Sequence, residues 1–228
     1  MKHIYLVFLL VTSIAFAQLT PPASQQTYYT DVDFNTTGMT LFNDLAIETI
    51  AKHSNFLSYS EIWDSSKITD EDVDNNSNVL LIYGYNDTDG NSKTDRSRSK
   101  NLNGGTNGTD WNREHTFPRS LANPDLDQGG TNQTANSDAH NLRPSDVQRN
   151  GLRGNKLFTD GSGNSSTVGS YWYPGDEWRG DVARIIMYMY LRYDGDGTSF
   201  TETQCLPKNV GIGNAVSNDS DMIDLFLQ

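Results

Sequence analysis

The sequence predicts an α+β fold: a mainly helical single domain with a small sheet. Residues 180–193 carry apolar side chains at helical spacing and predict the clearest helix of the chain. Residues 78–85 form a continuous apolar run, which predicts a strand buried on both faces. Residues 111–156 contain two short strand patterns, a polar loop between them and a helix start. We therefore expect a central ββα unit in a domain that spans residues 37–228.

The N-terminal end of the chain predicts a secretory signal peptide at residues 1–17. Lys2 gives it a positive start, residues 4–14 are apolar, and the sequence Ala-Phe-Ala that ends at Ala17 fits a cleavage site. The apolar run is too short to span a bilayer. We expect cleavage near Ala17, export to the periplasm or the medium, and a monomer without a membrane attachment. Residues 18–36 are polar and predict an extended leader.

Helix and loop patterns fill the region before the centre of the chain. An apolar stripe from residue 37 to about residue 54 predicts a helix, and residues 58–64 predict a second short helix or a turn. After the buried strand, residues 86–110 predict a long polar loop. Residues 87–91 resemble part of a calcium loop, but Arg98 stands where the bidentate Glu is needed. A solvated turn is the favoured interpretation.

The predicted ββα unit has recognisable ends. Residues 111–117 predict a strand that ends at a proline, and residues 139–143 predict a second short strand. Ser145 is the expected N-cap of the helix that follows and runs to about residue 154. Further on, residues 161–173 predict a loop and residues 221–228 predict a helix that has barely begun.

The charge distribution is compatible with a nucleic-acid partner despite an acidic composition. The net charge is −12, whereas phosphate binding requires Lys and Arg. Ten of the 17 Lys and Arg, however, lie between residues 93 and 156, together with seven acids. A local positive groove on an acidic body suits an exported enzyme that binds its substrate transiently. The single cysteine, Cys205, excludes an internal disulfide.

Three residues of the central unit suit metal-assisted hydrolysis of a phosphodiester. The neutral imidazole of His115 can take a proton from water near neutral pH. Glu114 and Asn150 offer the oxygen ligands that Mg²⁺ prefers. Adjacent residues of a regular strand point to opposite faces, so Glu114 and His115 can share a site only if the strand end is twisted or irregular. The alternative for Glu114 is a surface ion pair with Arg113.

Basic side chains around the second strand and the helix are candidates for contacts with phosphate. The guanidinium groups of Arg143, Arg149 and Arg153 match phosphate oxygens, and at least one could stabilise the charge of the transition state. His140 shares a predicted strand face with Asp138. We expect it either to orient the site or to belong to the core of the unit.

These motifs, in this order, resemble the bacterial endonuclease I family, which are secreted or periplasmic nucleases of the His-Me finger (ββα-metal) group. Arg-Glu-His-x-x-Pro at 113–118 is similar to the catalytic strand of that family. Asp-x-His-Asn-Leu-x-Pro at 138–144 is similar to its second strand, and Asn-Gly-x-Arg-Gly-Asn at 150–155 to its metal-binding helix. The similarity covers most of residues 40–195.

The resemblance implies a role for each matching position. His115 would be the general base that activates water, and Glu114 and Asn150 would hold one Mg²⁺, for which Mn²⁺ or Ca²⁺ could substitute. The metal would polarise the phosphate and stabilise the leaving 3′ oxygen. The substrate would be DNA and often RNA, with little sequence preference. Arg143 and Arg153 are the further catalytic candidates. The candidate substrate contacts are Arg113, Arg119, His140, Arg149, Asn155 and Lys156.

The sequence departs from the family in two ways. Some members carry a transition-state arginine between the two strands, but residues 121–137 contain no Arg or Lys. Arg119, Arg143 and Arg153 are open candidates to replace it. Members also usually continue into a segment containing Gln-Gly-Asn-Arg-Asn-Pro-Phe, so we expect a nuclease domain that is short at its C-terminal end.

Two other functions fit parts of the sequence. A phosphodiesterase or phosphatase acting on small nucleotides could use the same metal site in a narrower pocket. A non-enzymatic secreted protein that binds calcium or carbohydrate would account for the acidic loops and for the aromatic residues 171–173. That second function leaves Glu114, His115 and Asn150 unexplained. A zinc protease is disfavoured because the sequence lacks the motif H-E-x-x-H.

Overall fold

The computed structural model of the protein describes residues 20–104, 108–127, 133–193 and 203–228. The predicted signal peptide lies outside these ranges. The chain divides into two compact units, of which the first ends at Glu48 and the second begins at Thr49. Within the described ranges, every helix is too short or too polar to cross a lipid bilayer.

The described elements are helices and short antiparallel strands. The α-helices are α1 (Gly38–Lys52), α2 (Ile62–Thr69), α3 (Gln133–Asn136), α4 (Val147–Arg153) and α5 (Arg179–Tyr193). The strands are β1 (Glu71–Asp72), β2 (Asn75–Leu80), β3 (Ser97–Ser99), β4 (Trp111–His115), β5 (Leu142–Asp146), β6 (Ser166–Val168) and β7 (Tyr171–Tyr173). The predicted α+β class is confirmed, but the fold is not mainly helical, because helices make up only 32% of it.

The first unit consists of turns followed by most of α1. Residues 23–31, which we expected to be extended, instead form consecutive turns. Their backbone hydrogen bonds are local, such as Gln25 N–H to Pro22 C=O at 2.8 Å and Tyr28 N–H to Gln25 C=O at 2.9 Å. The helix predicted from residue 37 is present as α1.

The predicted buried strand at 78–85 is only partly a strand. β2 ends at Leu80 in the three-stranded sheet β1-β2-β3. Leu81, Ile82 and Tyr83 remain fully buried, as the apolar run predicts. Tyr83 has a φ of 73°, however, which no continuing strand can adopt. The chain therefore turns at Tyr83 and brings its side chain toward the centre of the second unit.

Strands β4 and β5 and helix α4 follow one another in the predicted order. β4 and β5 form a two-stranded antiparallel ribbon in which Glu114 pairs with Arg143 and His115 with Leu142. Helix α4 packs against both strands. β5 begins three residues later than predicted, because the chain first makes a turn in which Asn141 N–H donates to Asp138 C=O at 3.0 Å.

The C-terminal part of the second unit contains a β-hairpin and helix α5, which has one buried face. β6 and β7 pair antiparallel where the sequence predicts a loop. α5 buries Val182, Ile186 and Met189, in agreement with the predicted helical stripe. Residues 221–228 form a short 3₁₀ turn at Asp224–Leu227.

Candidate active site beside strand β4

A cleft of about 400 Å³ lies beside the end of β4 and the end of α4. It is lined by residues from both elements and from the segment that follows β4. The predicted site residues that line it are Arg113, Glu114, His115, Arg119, Asn150, Arg153 and Asn155. The structure therefore brings the predicted base, both predicted metal ligands and three arginines to one cleft.

Neighbouring residues of β4 reach the cleft from opposite faces of the ribbon. Arg113 and His115 lie on one face, and Asn112 and Glu114 lie on the other. The register with β5 is uninterrupted through His115, so the strand is regular. In the described part of the chain, β4 pairs only with β5 along Arg113 to His115, which leaves its other edge open. An irregular strand end, one of the two conditions named for a shared site, is therefore not needed, because side chains from both faces can border a cleft along an open edge.

Glu114 is a buried carboxylate with two partners on one oxygen. Its Oε1 accepts a hydrogen bond from the Tyr83 hydroxyl at 3.0 Å and pairs with Arg153 Nη1 at 3.2 Å. Burial raises the pKa of Glu114 to about 7, and the Arg153 charge and the Tyr83 hydrogen bond act in the opposite direction. Oε2 accepts no hydrogen bond from the described residues. The surface ion pair with Arg113 is not formed.

His115 is held as a neutral imidazole with a defined tautomer. Its Nε2 lies 2.8 Å from the Asn136 carbonyl oxygen. A carbonyl oxygen only accepts, so Nε2 carries the proton and Nδ1 keeps its lone pair. Burial lowers the pKa of His115 to about 4, in spite of the Asn136 hydrogen bond. The Tyr59 ring stacks on the imidazole at 5.7 Å between centroids and 19° between planes.

Asn150 presents an amide oxygen at the same cleft. Its Nδ2 donates to Asn112 Oδ1 at 2.7 Å, which fixes the orientation of the amide. Its own Oδ1 accepts no hydrogen bond from the described residues. One carboxylate oxygen of Glu114 and one amide oxygen of Asn150 thus form a donor set that suits a hard cation such as Mg²⁺. Within the described ranges, no group of three His, Cys, Asp or Glu side chains is arranged to hold a metal, so the candidate metal centre rests on this pair.

The cleft arginines differ in what they bind. Arg153 is buried, with 1% of its side chain exposed. It donates to the carbonyl of His115 at 3.0 Å and to that of Thr116 at 2.7 Å, so it supports the chain at the base. Arg119 is exposed and donates from Nε to the Leu126 carbonyl at 3.0 Å. Arg113 lies against the rings of Tyr59 and Trp63.

Two predicted arginines are engaged away from the cleft. Arg143 forms an ion pair with Asp70. Arg149 is buried and donates to the Lys93 carbonyl at 2.8 Å and to the Ser165 carbonyl at 3.2 Å. Neither lines the cleft, because these partners hold both side chains elsewhere in the unit.

Three further predicted contacts lie at or beyond the rim of the cleft. Asn155 lines the cleft and donates to Ser120 Oγ at 3.2 Å. Lys156 does not line it and donates to the Leu152 carbonyl at 2.5 Å. His140 also lies outside the cleft lining. Its Nδ1 is 3.2 Å from Asp138 Oδ1, and the hydrogen bond to Asp138 raises the pKa of His140.

Several residues that support the site were not predicted from the sequence. Tyr83 holds Glu114, Tyr59 stacks on His115, and Trp63 lies against Arg113. Asn141 fixes the chain after His115, since its Oδ1 accepts from Phe117 N–H at 2.6 Å and its Nδ2 donates to the Phe117 carbonyl at 3.2 Å. All four lie in segments that the sequence had singled out, Asn141 in the second-strand motif and the three aromatic residues in the predicted elements at 58–64 and 78–85, but no local pattern indicated these contacts.

The fold and the cleft define an α+β protein in which an imidazole, a carboxylate and an amide border one groove beside a strand–strand–helix unit. The sequence matches the Endonuclease I family over residues 37–228, and the chain belongs to that family. It is 41% identical over 186 residues to an extracellular ribonuclease of Bacillus subtilis (strain 168), a match that covers 79% of this chain and 58% of that protein.

A second relative is an extracellular ribonuclease of Bacillus amyloliquefaciens. It is 38% identical over 205 residues, which cover 87% of this chain and 64% of the relative. The chain therefore spans less than two thirds of the length of these relatives. No solved structure matches the chain.

Proposed function

We propose that the protein is an exported, metal-dependent endonuclease that hydrolyses phosphodiester bonds in RNA and DNA with little sequence preference. The observation that carries this proposal is the meeting of Glu114, His115 and Asn150 at one cleft. Membership of the Endonuclease I family supports it. We identify β4, β5 and α4 with the ββα-metal unit of the His-Me finger group.

His115 acts as the general base. Its Nδ1 is free to take a proton from the attacking water, because Nε2–H is held by the Asn136 carbonyl. The stacked Tyr59 ring limits rotation of the imidazole. Arg153 holds the backbone carbonyls of His115 and Thr116 and thereby fixes the position of the base.

Glu114 and Asn150 would hold one Mg²⁺, with Mn²⁺ or Ca²⁺ as alternatives. Tyr83 and Arg153 engage Oε1 of Glu114 and leave Oε2 for the cation, while Asn112 orients the amide of Asn150. When bound, Mg²⁺ would polarise the phosphate and stabilise the negative charge on the leaving 3′ oxygen. Water and substrate oxygens would complete its coordination.

The substrate class follows from the use of water as the nucleophile. Attack by water does not require the 2′-hydroxyl group, so one site can cleave both RNA and DNA. The names of the two relatives, both extracellular ribonucleases, support RNA as a substrate and an extracellular location. Export would leave Gln18 as the first residue, which mass spectrometry of the secreted protein can test.

The test of the base is the variant His115→Gln in a cleavage assay with supercoiled plasmid and Mg²⁺. We expect cleavage to fall by about 10²- to 10⁴-fold, because a general base contributes that much, and EDTA should abolish cleavage by the unaltered protein. His53→Gln is the matched control. His53 accepts a hydrogen bond from Arg192 outside the cleft, so this variant should keep its activity. Undiminished cleavage by His115→Gln would rule out this base.

The test of the nucleophile uses oligonucleotides that differ only at the 2′ position of the cleaved residue. RNA, DNA and 2′-O-methyl versions should all be cut to give 3′-hydroxyl and 5′-phosphate ends. Cleavage of RNA alone, with a 2′,3′-cyclic phosphate product, would mean that the 2′-hydroxyl group attacks and that the proposed role of water is wrong.

A further inference from the structure

The guanidinium group of Arg113 is held between two aromatic side chains of the α2 region. Its carbon Cζ lies 3.6 Å from the centroid of the Tyr59 ring and 4.0 Å from that of the Trp63 ring. Nη1 also donates to the Tyr59 carbonyl oxygen. Trp63 in turn packs edge-to-face on the buried Trp111 at 5.2 Å. We call Tyr59 and Trp63 the aromatic clamp, which fixes a flexible side chain in one place.

Arg113 has no carboxylate partner among the described residues, and neither has Arg149, whose donors are occupied by the Lys93 carbonyl and by Ser165. Arg153 pairs with Glu114, Arg143 with Asp70, and Arg98 with Asp146. The Nε of Arg113 is buried without a hydrogen bond, and Nη2 has no partner among the described residues. Removing a cation from water without an anion costs free energy, so an arginine in this state is suited to an anion from outside the chain.

Arg113 also lies where the reaction would occur. It is two residues before His115 on the same face of β4, and both side chains line the cleft. Of the other arginine candidates, Arg143 lies away from the cleft, and Arg153 pairs with Glu114 and donates to the carbonyls of His115, Thr116 and Gly154. Arg119 lines the cleft, but its side chain is exposed and donates from Nε to the Leu126 carbonyl. The loop at 121–137 contributes no Arg or Lys.

We propose that Arg113 is the arginine that binds the phosphate group at which hydrolysis occurs, and that Tyr59 and Trp63 are positioning residues that hold it. This proposal rests on the proposed nuclease function. The two N–H groups of Nη2 would donate to non-bridging phosphate oxygens, and these bonds would strengthen as attack adds negative charge to the phosphorus centre. Arg113 therefore serves as the cation that the loop between the strands does not supply.

The first test is a single-turnover cleavage assay of Arg113→Ala with Mg²⁺. We expect the rate to fall by about 10²- to 10³-fold, as for the loss of one donor to a developing charge. The space between the rings of the clamp can admit a free cation, so methylguanidinium should restore activity in a concentration-dependent manner, whereas neutral urea at the same low concentration should not. Arg184→Ala, which removes an exposed arginine paired with Asp181, is the control and should cleave at the normal rate.

The second test measures binding without catalysis. A fluorescein-labelled single-stranded DNA oligonucleotide is titrated in EDTA at several salt concentrations. The logarithm of the association constant falls linearly with the logarithm of the salt concentration, and the slope reflects the number of phosphate contacts. Arg113→Ala should reduce the magnitude of this slope by about 0.7, the value for one lost contact, whereas Arg184→Ala should leave it unchanged. Arg113→Lys should keep the slope but still cleave slowly, because lysine lacks the planar fork.

The outcomes separate this proposal from the nuclease function. Normal cleavage by Arg113→Ala, or a slope that does not change, would overturn the role of Arg113 even if His115→Gln is inactive. If the unaltered protein does not cleave nucleic acid, the nuclease function fails, and the salt slope still decides whether Arg113 binds phosphate. Failure of methylguanidinium to rescue a folded Arg113→Ala would mean that the side chain only supports the fold.

Discussion

Two arginines of the cleft have different roles: one is proposed to bind the substrate phosphate, and the other stabilises the structure around the site. Arg113 and Arg153 lie on neighbouring elements and line the same cleft, yet their surroundings differ. Arg153 is enclosed by Glu114 and by the carbonyls of His115 and Thr116, whereas Arg113 contacts aromatic rings and one carbonyl. We therefore expect replacement of Arg153 to affect stability and replacement of Arg113 to affect catalysis.

Replacement of Arg153 by Met should destabilise the protein by about 3–5 kcal/mol, because it leaves the buried carboxylate of Glu114 without its charge partner. Urea unfolding followed by circular dichroism measures this change. Arg184→Met removes an exposed ion pair and should change the free energy of unfolding by less than about 0.5 kcal/mol. A loss below about 1 kcal/mol in Arg153→Met would mean that Glu114 finds another partner or becomes protonated.

Residue types and spacing singled out Glu114, His115 and Asn150, which the structure brings to one cleft, while their chemical roles stay predictions. Residue types and spacing were not enough to predict which of the arginines line the cleft. Arg149 is buried by its bonds to Lys93 and Ser165, and no local pattern relates these residues to it. The aromatic clamp escaped prediction for the same reason, since Tyr59 lies 54 positions before Arg113.

At the level of elements, the order of β4, β5 and α4 followed from the sequence, and their boundaries depended on tertiary contacts. Ser145 was the expected N-cap, but it pairs with Asn112 in the ribbon and its hydroxyl donates to the Ile82 carbonyl at 3.4 Å. Asp146 caps the helix instead, by accepting from Arg149 N–H at 2.8 Å. Strand β5 thus continues to Asp146, which is also the N-cap of α4, the helix that contains Asn150.

Asp146 joins α4 to strand β3, because it also pairs with the buried Arg98 at 2.8 Å. Replacement by Ser keeps a good N-cap but removes this ion pair. We expect Asp146→Ser to lower the free energy of unfolding by about 3 kcal/mol, which is the lower end for breaking a buried pair. Thermal unfolding of Asp146→Ser and Asp146→Asn should show similar decreases in the free energy of unfolding. A cost near zero for both variants would assign the role of Asp146 to capping alone, because Ser and Asn cap a helix about as well as Asp does.

The acidic loop before β3 behaves as the favoured interpretation of the sequence requires. Asp87 Oδ1 accepts from the backbone N–H groups of Arg96 and Ser97 at 2.6 and 3.0 Å. Asp89 accepts from Asn91 N–H at 2.9 Å and from the Thr94 hydroxyl at 2.7 Å. These carboxylates therefore accept hydrogen bonds from the backbone and side chains of the turn itself.

At the level of the whole chain, the acidic net charge and the arginines of the cleft would act in opposite directions on nucleic acid, the proposed substrate. The net charge of −12 repels a long polyanion, while Arg113 and Arg119 provide positive charge at the cleft. Affinity for nucleic acid should therefore be modest and confined to the few phosphates near the cleft. This arrangement is consistent with hydrolysis of many sequences, because phosphate contacts carry no base information.

Removal of the metal should abolish cleavage and leave the fold intact. The candidate cation site has only two protein oxygens, and Glu114 Oε1 is already compensated by Arg153 and Tyr83 without a cation. A ligand at about tenfold its Kd stabilises a protein by about 1.4 kcal/mol, so chelation should lower the midpoint of thermal unfolding by less than about 6 °C. Plasmid cleavage should stop in EDTA and return when Mg²⁺ is added in excess, while far-UV circular dichroism stays unchanged throughout. Loss of secondary structure on chelation would instead assign the metal a structural role, and the loss of cleavage in EDTA would then say nothing about chemistry at His115.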